Sequence, residues 1–179
     1  NKLNDIFHGI YMEGTFMKDE RFKGAHNHKY FFEPSINLFT TLQKAANGNI
    51  KIVNVVPEWG KSALKLIEYF SKMKIISAAG HTSATGDDYI AAIRKGLHLA
   101  IHVLNGPSSS SFKPFNNGGA LETFLTSDKM YLEIIMDGYH VNKSYVLDII
   151  KRKGVDKCIA ITDSMFATNS EHIKQFKIN

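Results

Sequence analysis

Residues 74–103 read KIISAAGHTSATGDDYIAAIRKGLHLAIHV. The stretch opens on a short apolar run, Lys74 to Ala79, that stops at Gly80-His81. Thr85 then offers a side-chain cap, Asp87 and Asp88 put negative charge in the first helical turn, and the helix runs through Arg94 to a closing Gly96. A second apolar run follows from Leu97 to Val103, with His102 near its end. Strand, capped helix and strand in this order form a β/α/β unit, whose strands run parallel because the connection crosses over.

The same cycle repeats on both sides. Upstream, Ile6 to Met12 reaches Glu13-Gly14, and a polar loop with Lys18, Asp19, Arg21, Lys23 and Gly24 leads to a helix-like segment, Ser35 to Ala46. Ile50 to Val56 is a near-continuous β-branched run, as expected of a strand buried on both faces, and it ends at Pro57-Glu58. Ser62 to Met73 spaces Leu64, Ile67 and Phe70 along one helical face. Downstream, a turn-rich loop of Gly106, Pro107, the serines from Ser108 to Ser111, Lys113 and Pro114 precedes a strand from Met130 to Met136. That strand ends at Asp137-Gly138-Tyr139-His140; a helix from Ser144 to Lys153 and a strand from Lys157 to Thr162, ending at Asp163, complete the series.

This pattern predicts an α/β fold with six parallel strands. The chain has 179 residues, 44% of them hydrophobic and 22% charged, which excludes disordered, collagenous and disulfide-scaffold classes. A closed (β/α)8 TIM barrel uses about 250 residues and seldom fewer than about 200. By itself, a length of 179 residues therefore counts against a complete barrel.

Lys and Arg number 22 against 17 Asp and Glu, a net charge of +5 that suits an anionic partner such as a phosphorylated metabolite. The cations are scattered, and the densest run, Lys151-Arg152-Lys153, closes a helix where it complements the dipole, so no nucleic-acid surface is indicated. No apolar stretch reaches the roughly 18 residues that a bilayer span requires. The lone Cys158 has no internal disulfide partner, so a reduced, cytoplasmic setting is expected.

Parallel β/α folds build their sites at the carboxyl ends of the strands. Glu13, Glu58, His81, His102, Asp137 with His140, and Asp163 all fall there. If the strands close about one axis, a carboxylate and two imidazoles converge, the ligand set of a hydrolytic zinc or iron site with a position open to water. Asp163 is then placed to accept the proton of an attacking water.

Five stretches resemble the N-acetylglucosamine-6-phosphate deacetylases of the amidohydrolase superfamily: Lys23-Gly24-Ala25-His26-Asn27, Val56-Pro57-Glu58, Ala79-Gly80-His81-Thr82-Ser83-Ala84-Thr85, His102-Val103-Leu104-Asn105 and Asp137-Gly138-Tyr139-His140-Val141. The resemblance runs from Tyr11 to Ser164. It implies a metal-dependent deacetylase acting on an N-acetylhexosamine 6-phosphate, with zinc the expected ion and iron the alternative, and a homodimeric assembly. It implies Glu13, His81 and His102 as metal ligands, Asp163 as acid/base, and His26 as the group polarising the acetamide carbonyl. Ala25, Asn105, Gly106, Lys113, Asp137 and His140 would bind the substrate. Glu58 has no implied role and is expected to be structural, as are His8, His98 and His172; His28 is a bystander.

The chain departs from the family where Asn-Ala-Met becomes Asn105-Gly106-Pro107 and where a proline becomes Thr15. Lys113 replaces a phosphate-gripping arginine, keeping the charge but losing the bidentate fork. Two other functions fit the sequence: another amidohydrolase acting on a different amide or cyclic substrate, and a non-catalytic phosphosugar-binding protein. The resemblance also implies that residues 1–179 are a central and C-terminal-half portion of a (β/α)8 TIM-barrel domain, holding about six of its eight strands, with the first strand, the last strand and a small β-domain outside these residues.

Overall fold

The computed structural model describes residues 6–105, 118–165, 168 and 171–172. Six strands, β1 (Ile10–Phe16), β2 (Ile50–Val55), β3 (Ile76–Ala79), β4 (Leu97–Ala100), β5 (Tyr131–Ile135) and β6 (Cys158–Ile161), form one sheet in sequential order. Every neighbouring pair is parallel. The connections carry helices α1 (Ile36–Ala45), α2 (Lys61–Met73), α3 (Gly86–Lys95), α4 (Ala120–Thr126) and α5 (Lys143–Lys153).

Local chemistry sets the helix limits. The Ser35 side chain accepts the Leu38 N–H, and Thr85 and Asp88 form a reciprocal capping box at α3. Gly96 ends α3 at φ +116°, with the site of a missing Cβ 2.9 Å from Ser71 Cβ, so both the backbone angle and the close approach call for glycine. On the outer face of the sheet, α2 buries Ala63, Leu66, Ile67 and Phe70, and α3 buries Tyr89, Ala92 and Ile93. Phe39 of α1 meets Phe70 edge-to-face at 4.5 Å, and Tyr89 meets Phe124 of α4 at 4.8 Å. The inner face carries a smaller apolar cluster of Ala78, Leu99 and Ile101, with Ile52 packed against it.

The sheet is strongly curled. Flat strands about 4.8 Å apart would hold β1 and β5 roughly 19 Å from one another, yet the Tyr11 hydroxyl of β1 donates to Glu133 Oε2 of β5 at 3.2 Å. Sequential order, parallel pairing, helices on the outside and this curl make the described residues five successive β/α units and a sixth strand of a TIM barrel.

Three details differ from the sequence expectation. The first strand is Ile10–Phe16 instead of Ile6 to Met12, so Glu13 lies inside β1 and not beyond its end. Ile6 and Phe7 are exposed, whereas the polar Glu13-Gly14-Thr15 stretch continues as strand because it faces the site, where polarity is tolerated. The strand expected to reach Val103 ends at Ala100, because His102 turns into a positive-φ conformation. Helix α4 has no counterpart in the sequence reading; seven residues give too short a periodic signal.

Candidate metal centre at the strand ends

Glu13 projects from β1, His81 and His102 follow β3 and β4, and His26 comes from the loop after β1. Glu13 Oε1 lies 2.9 Å from His102 Nε2 and 3.2 Å from His81 Nε2, and those two nitrogens are 3.2 Å apart. His26 Nε2 takes the other carboxylate oxygen, 3.2 Å from Oε2. Both His81 and His102 are buried, whereas Glu13 and His26 keep access to solvent.

The backbone is bent to reach this arrangement. His81 sits at φ +54°, His102 at +25° and Asp163 at +48°, a region that β-carbon-bearing residues seldom occupy. The Nδ1–H of His81 donates to the Phe22 carbonyl at 2.9 Å, which directs Nε2 to the centre. Gly24 closes over that ring: a Cβ there would stand 2.6 Å from His81 Cε1. Gly14 packs likewise on His26, with a Cβ position 2.9 Å from Nδ1.

Burial pushes the Glu13 carboxyl up, but hydrogen bonds from His102, His26 and His81 outweigh it and hold the group well below the usual carboxylate range. Burial alone would lower His102; the hydrogen bond and charge of Glu13 reverse this and raise it. Because its Nδ1–H goes to Phe22, His81 can donate to Glu13 only as an imidazolium; as the neutral ring that ligates a metal, its Nε2 lone pair would face a carboxylate oxygen and a second imidazole nitrogen. A cation relieves that crowding of electron pairs. Tetrahedral zinc with bonds of about 2.0–2.1 Å sets its ligand atoms about 3.3–3.4 Å apart, close to the 2.9, 3.2 and 3.2 Å edges of the Glu13–His81–His102 triangle. An overlapping triad of Glu13, His26 and His81 also has all ligand atoms within 4.8 Å.

Asp163, exposed after β6, lines a cavity of about 570 Å³ together with Tyr11, Glu13, His102 and Glu133. It also borders a second cavity of about 620 Å³, walled by Met136, Asp137 and His140, so it stands between the ligand cluster and the β5–α5 turn. In that turn Asp137 Oδ1 accepts the N–H groups of Tyr139 and His140 at 2.9 and 3.0 Å, and Oδ2 meets His140 Nδ1 at 2.6 Å. The backbone hydrogen bonds from His140 and Tyr139 chiefly hold the Asp137 carboxyl down at about 2.

No family model matches the chain. Among curated proteins it is 33% identical over 161 residues to an N-acetylglucosamine-6-phosphate deacetylase of Bacillus subtilis, covering 89% of this chain and 39% of that protein. It is 27% identical over 159 residues to an N-acetylgalactosamine-6-phosphate deacetylase of Escherichia coli O157:H7, covering 89% and 41%. Among solved structures, N-acetyl-D-glucosamine-6-phosphate deacetylase of Mycobacterium smegmatis, in complex with N-acetyl-D-glucosamine-6-phosphate, superposes with a TM-score of 0.79 at 27% identity, covering 89% of this chain and 41% of that one. The enzyme of Pasteurella multocida gives 0.75 at 29% identity, covering 88% and 40%. Its relatives are N-acetylhexosamine-6-phosphate deacetylases. The chain spans about two fifths of the length of those it matches.

Beside the deacetylase resemblance, the placement of the remaining residues is uneven. Asn105 is half-buried and its N–H donates to the His102 carbonyl at 2.9 Å, which puts it at the rim of the cluster. Ala25 is exposed in the turn that carries His26. Gly106 and Lys113, with the serine run, lie outside the described residues. Glu58 is held by Thr82 and Ser83. Sequence reasoning missed Tyr11 and Glu133, which line the cavity of about 570 Å³ beside Glu13 and His102. Glu133 is 4% exposed, and burial pushes its carboxyl up to about 7. A lone acidic residue in the apolar run Tyr131–Ile135 was the available signal. Among the described residues no helix is long and apolar enough to cross a membrane.

Proposed function

We propose that this chain carries the metal-binding and proton-transferring part of an N-acetylhexosamine-6-phosphate deacetylase, which converts N-acetylglucosamine 6-phosphate and water to glucosamine 6-phosphate and acetate. The observation that carries this reading is the triangle of Glu13 Oε1, His81 Nε2 and His102 Nε2, with Asp163 on the same cavity, in a chain whose relatives bear that name. Glu13, His81 and His102 would hold a divalent ion, zinc by the donor set and iron as the alternative. When bound, the ion supplies a lowered water pKa and a polarised carbonyl.

The chain's own groups do the rest. Asp163 takes a proton from the attacking water on a carboxylate oxygen and returns it to the amine nitrogen as the C–N bond breaks. His26 would release Glu13 Oε2 and turn its Nε2–H to the acetamide oxygen, donating a hydrogen bond as negative charge develops there. Ala25, Asn105, Gly106, Asp137 and His140 orient the sugar, and Lys113 attracts the phosphate as a point charge. The same reading places the protein in the cytoplasm as a homodimer. It makes residues 1–179 the central and C-terminal-half portion of the barrel domain, with the small β-domain outside them.

The test is acetate release by the purified, full-length, zinc- or iron-replete protein from N-acetylglucosamine and N-acetylgalactosamine, each with and without a 6-phosphate, because the named relatives include both epimers. Turnover of a 6-phosphate sugar, lost by about a hundredfold or more in Asp163→Asn with bound metal retained, is expected. Stoichiometric metal with no acetate from any of the four sugars would sink the proposal.

A further inference from the structure

His81 is held from both sides of the chain by the strand before it in the sheet. Asn54, fully buried in β2, pairs with the preceding residue: its Nδ2 donates to the Gly80 carbonyl at 3.4 Å and its Oδ1 accepts the Gly80 N–H at 3.3 Å. Glu58, in the turn after β2, takes the two residues that follow. Its Oε2 accepts the Thr82 hydroxyl at 2.6 Å, and its Oε1 accepts the Ser83 N–H at 2.9 Å and the Ser83 hydroxyl at 3.4 Å. Thr82 Oγ1 in turn accepts the Ala84 N–H at 3.1 Å, so the Glu58 carboxylate anchors the turn after His81 at Thr82 and Ser83.

Such a carboxylate is an expensive way to build a turn. Glu58 is largely removed from solvent and burial pushes its pKa up. The ammonium of Lys18 donates at 2.8 Å to the Glu58 main-chain carbonyl, and the bonds described above give its carboxylate only neutral donors. A structural turn could be made with a neutral side chain. What Glu58 secures is the His81 backbone at φ +54°, a conformation that an isolated histidine would leave.

We infer that Glu58, with Asn54, is a positioning residue that sets metal affinity by clamping His81 in its left-handed conformation, so that Nε2 stays within ligating distance of Glu13 and His102. This goes beyond the sequence reading, which assigned Glu58 no role, and it rests on the proposed metal centre. Partners that orient metal-bound histidines typically change metal affinity 10- to 100-fold when removed. Here the clamp acts on the main chain around the ligand, while Phe22 fixes the ring itself.

The test compares wild type with Glu58→Ala, Glu58→Gln and Thr82→Val. Zinc affinity is read by chelator competition, zinc stoichiometry after gel filtration, and the folded fraction of the chelator-stripped protein by circular dichroism at the same temperature. Glu58→Ala and Thr82→Val should weaken zinc binding about 10- to 100-fold in protein that remains folded without metal. Glu58→Gln, whose amide can still accept from one donor and give to the Thr82 oxygen, should recover to within a few-fold of wild type. A merely structural residue would lower the melting temperature and leave the zinc affinity of the folded fraction unchanged, and that result overturns the clamp. Should Glu58→Ala not fold, Thr82→Val decides alone. Wild type that binds no divalent metal overturns both the centre and the clamp; wild type that binds it as tightly as the Ala and Val variants overturns the clamp only.

Discussion

At the scale of single residues, the centre is a balance between a carboxylate and imidazoles that each prefer a proton between them. His102 is raised by Glu13 above its ordinary 6.5, and Glu133 beneath it is raised by burial to about 7. A group whose folded pKa exceeds its unfolded one adds stability that is full below the unfolded value and is lost as pH rises through the folded value. For Glu133 that loss runs from about 4.5 to about 7, and for His102 it begins above 6.5. Metal binding runs the other way, because ligation requires neutral imidazole and protons compete with the ion. The metal-stripped protein should therefore melt at lower temperature at pH 8 than at pH 6, while zinc affinity tightens over the same interval. Thermal melts with a chelator and competition titrations without one check both slopes; slopes of the same sign would exclude this account of the cluster.

At the scale of elements, the sequence was most legible where chemistry is local. The Ser35 and Thr85 caps and the Gly96 stop fix α1 and α3 within a residue of their expected limits, because side chain and backbone satisfy each other without tertiary help. The strand-end residues were legible because an alternation of apolar run and polar junction already orders them. The limits of β1 were not legible, since a strand that faces a polar site loses the apolar pattern that marks strands elsewhere. Nor could the sequence reveal that the loop after β1 folds back on His81. Gly24 there has φ +56° and leaves no room for a Cβ beside the His81 ring. Gly24→Ala should weaken zinc binding at least tenfold by moving the loop or the ring, with the helical content seen by circular dichroism preserved. Unaltered zinc affinity would show that the loop yields more easily than this packing implies.

At the scale of the whole molecule, the curl of the sheet converts neighbours three and four strands apart into contacts. Glu13 and His102 come from β1 and the end of β4, and Tyr11 and Glu133 from β1 and β5. Periodicity predicts strands and their order, but not which inward side chains will meet once the arc forms. Tyr11 and Glu133 were invisible for that reason, whereas Glu13, His81 and His102 carried a chemical signature of their own. The Tyr11–Glu133 bond spans the barrel interior, and Tyr11→Phe removes its donor while keeping the ring. Loss of one hydrogen bond to a buried carboxylate costs about 1–3 kcal/mol, which denaturant unfolding of the metal-stripped protein would measure. A loss below about 0.5 kcal/mol, the range of ordinary surface substitutions, would mean that the curl is held by the apolar cluster alone.

The left-handed turns at His81, His102 and Asp163 also bear on the order in which the molecule is completed. Each of these residues leaves its strand in a conformation that its own short peptide would abandon, at a cost of roughly 1–2 kcal/mol per residue. None can be settled while its neighbours are still fluctuating. Strands can pair and helices can dock first, and a partly folded chain can show full secondary structure while its donor atoms point elsewhere. The convergence of Glu13, His81 and His102 is therefore expected to form late, so that in refolding zinc binding should appear after the far-ultraviolet circular dichroism signal has returned.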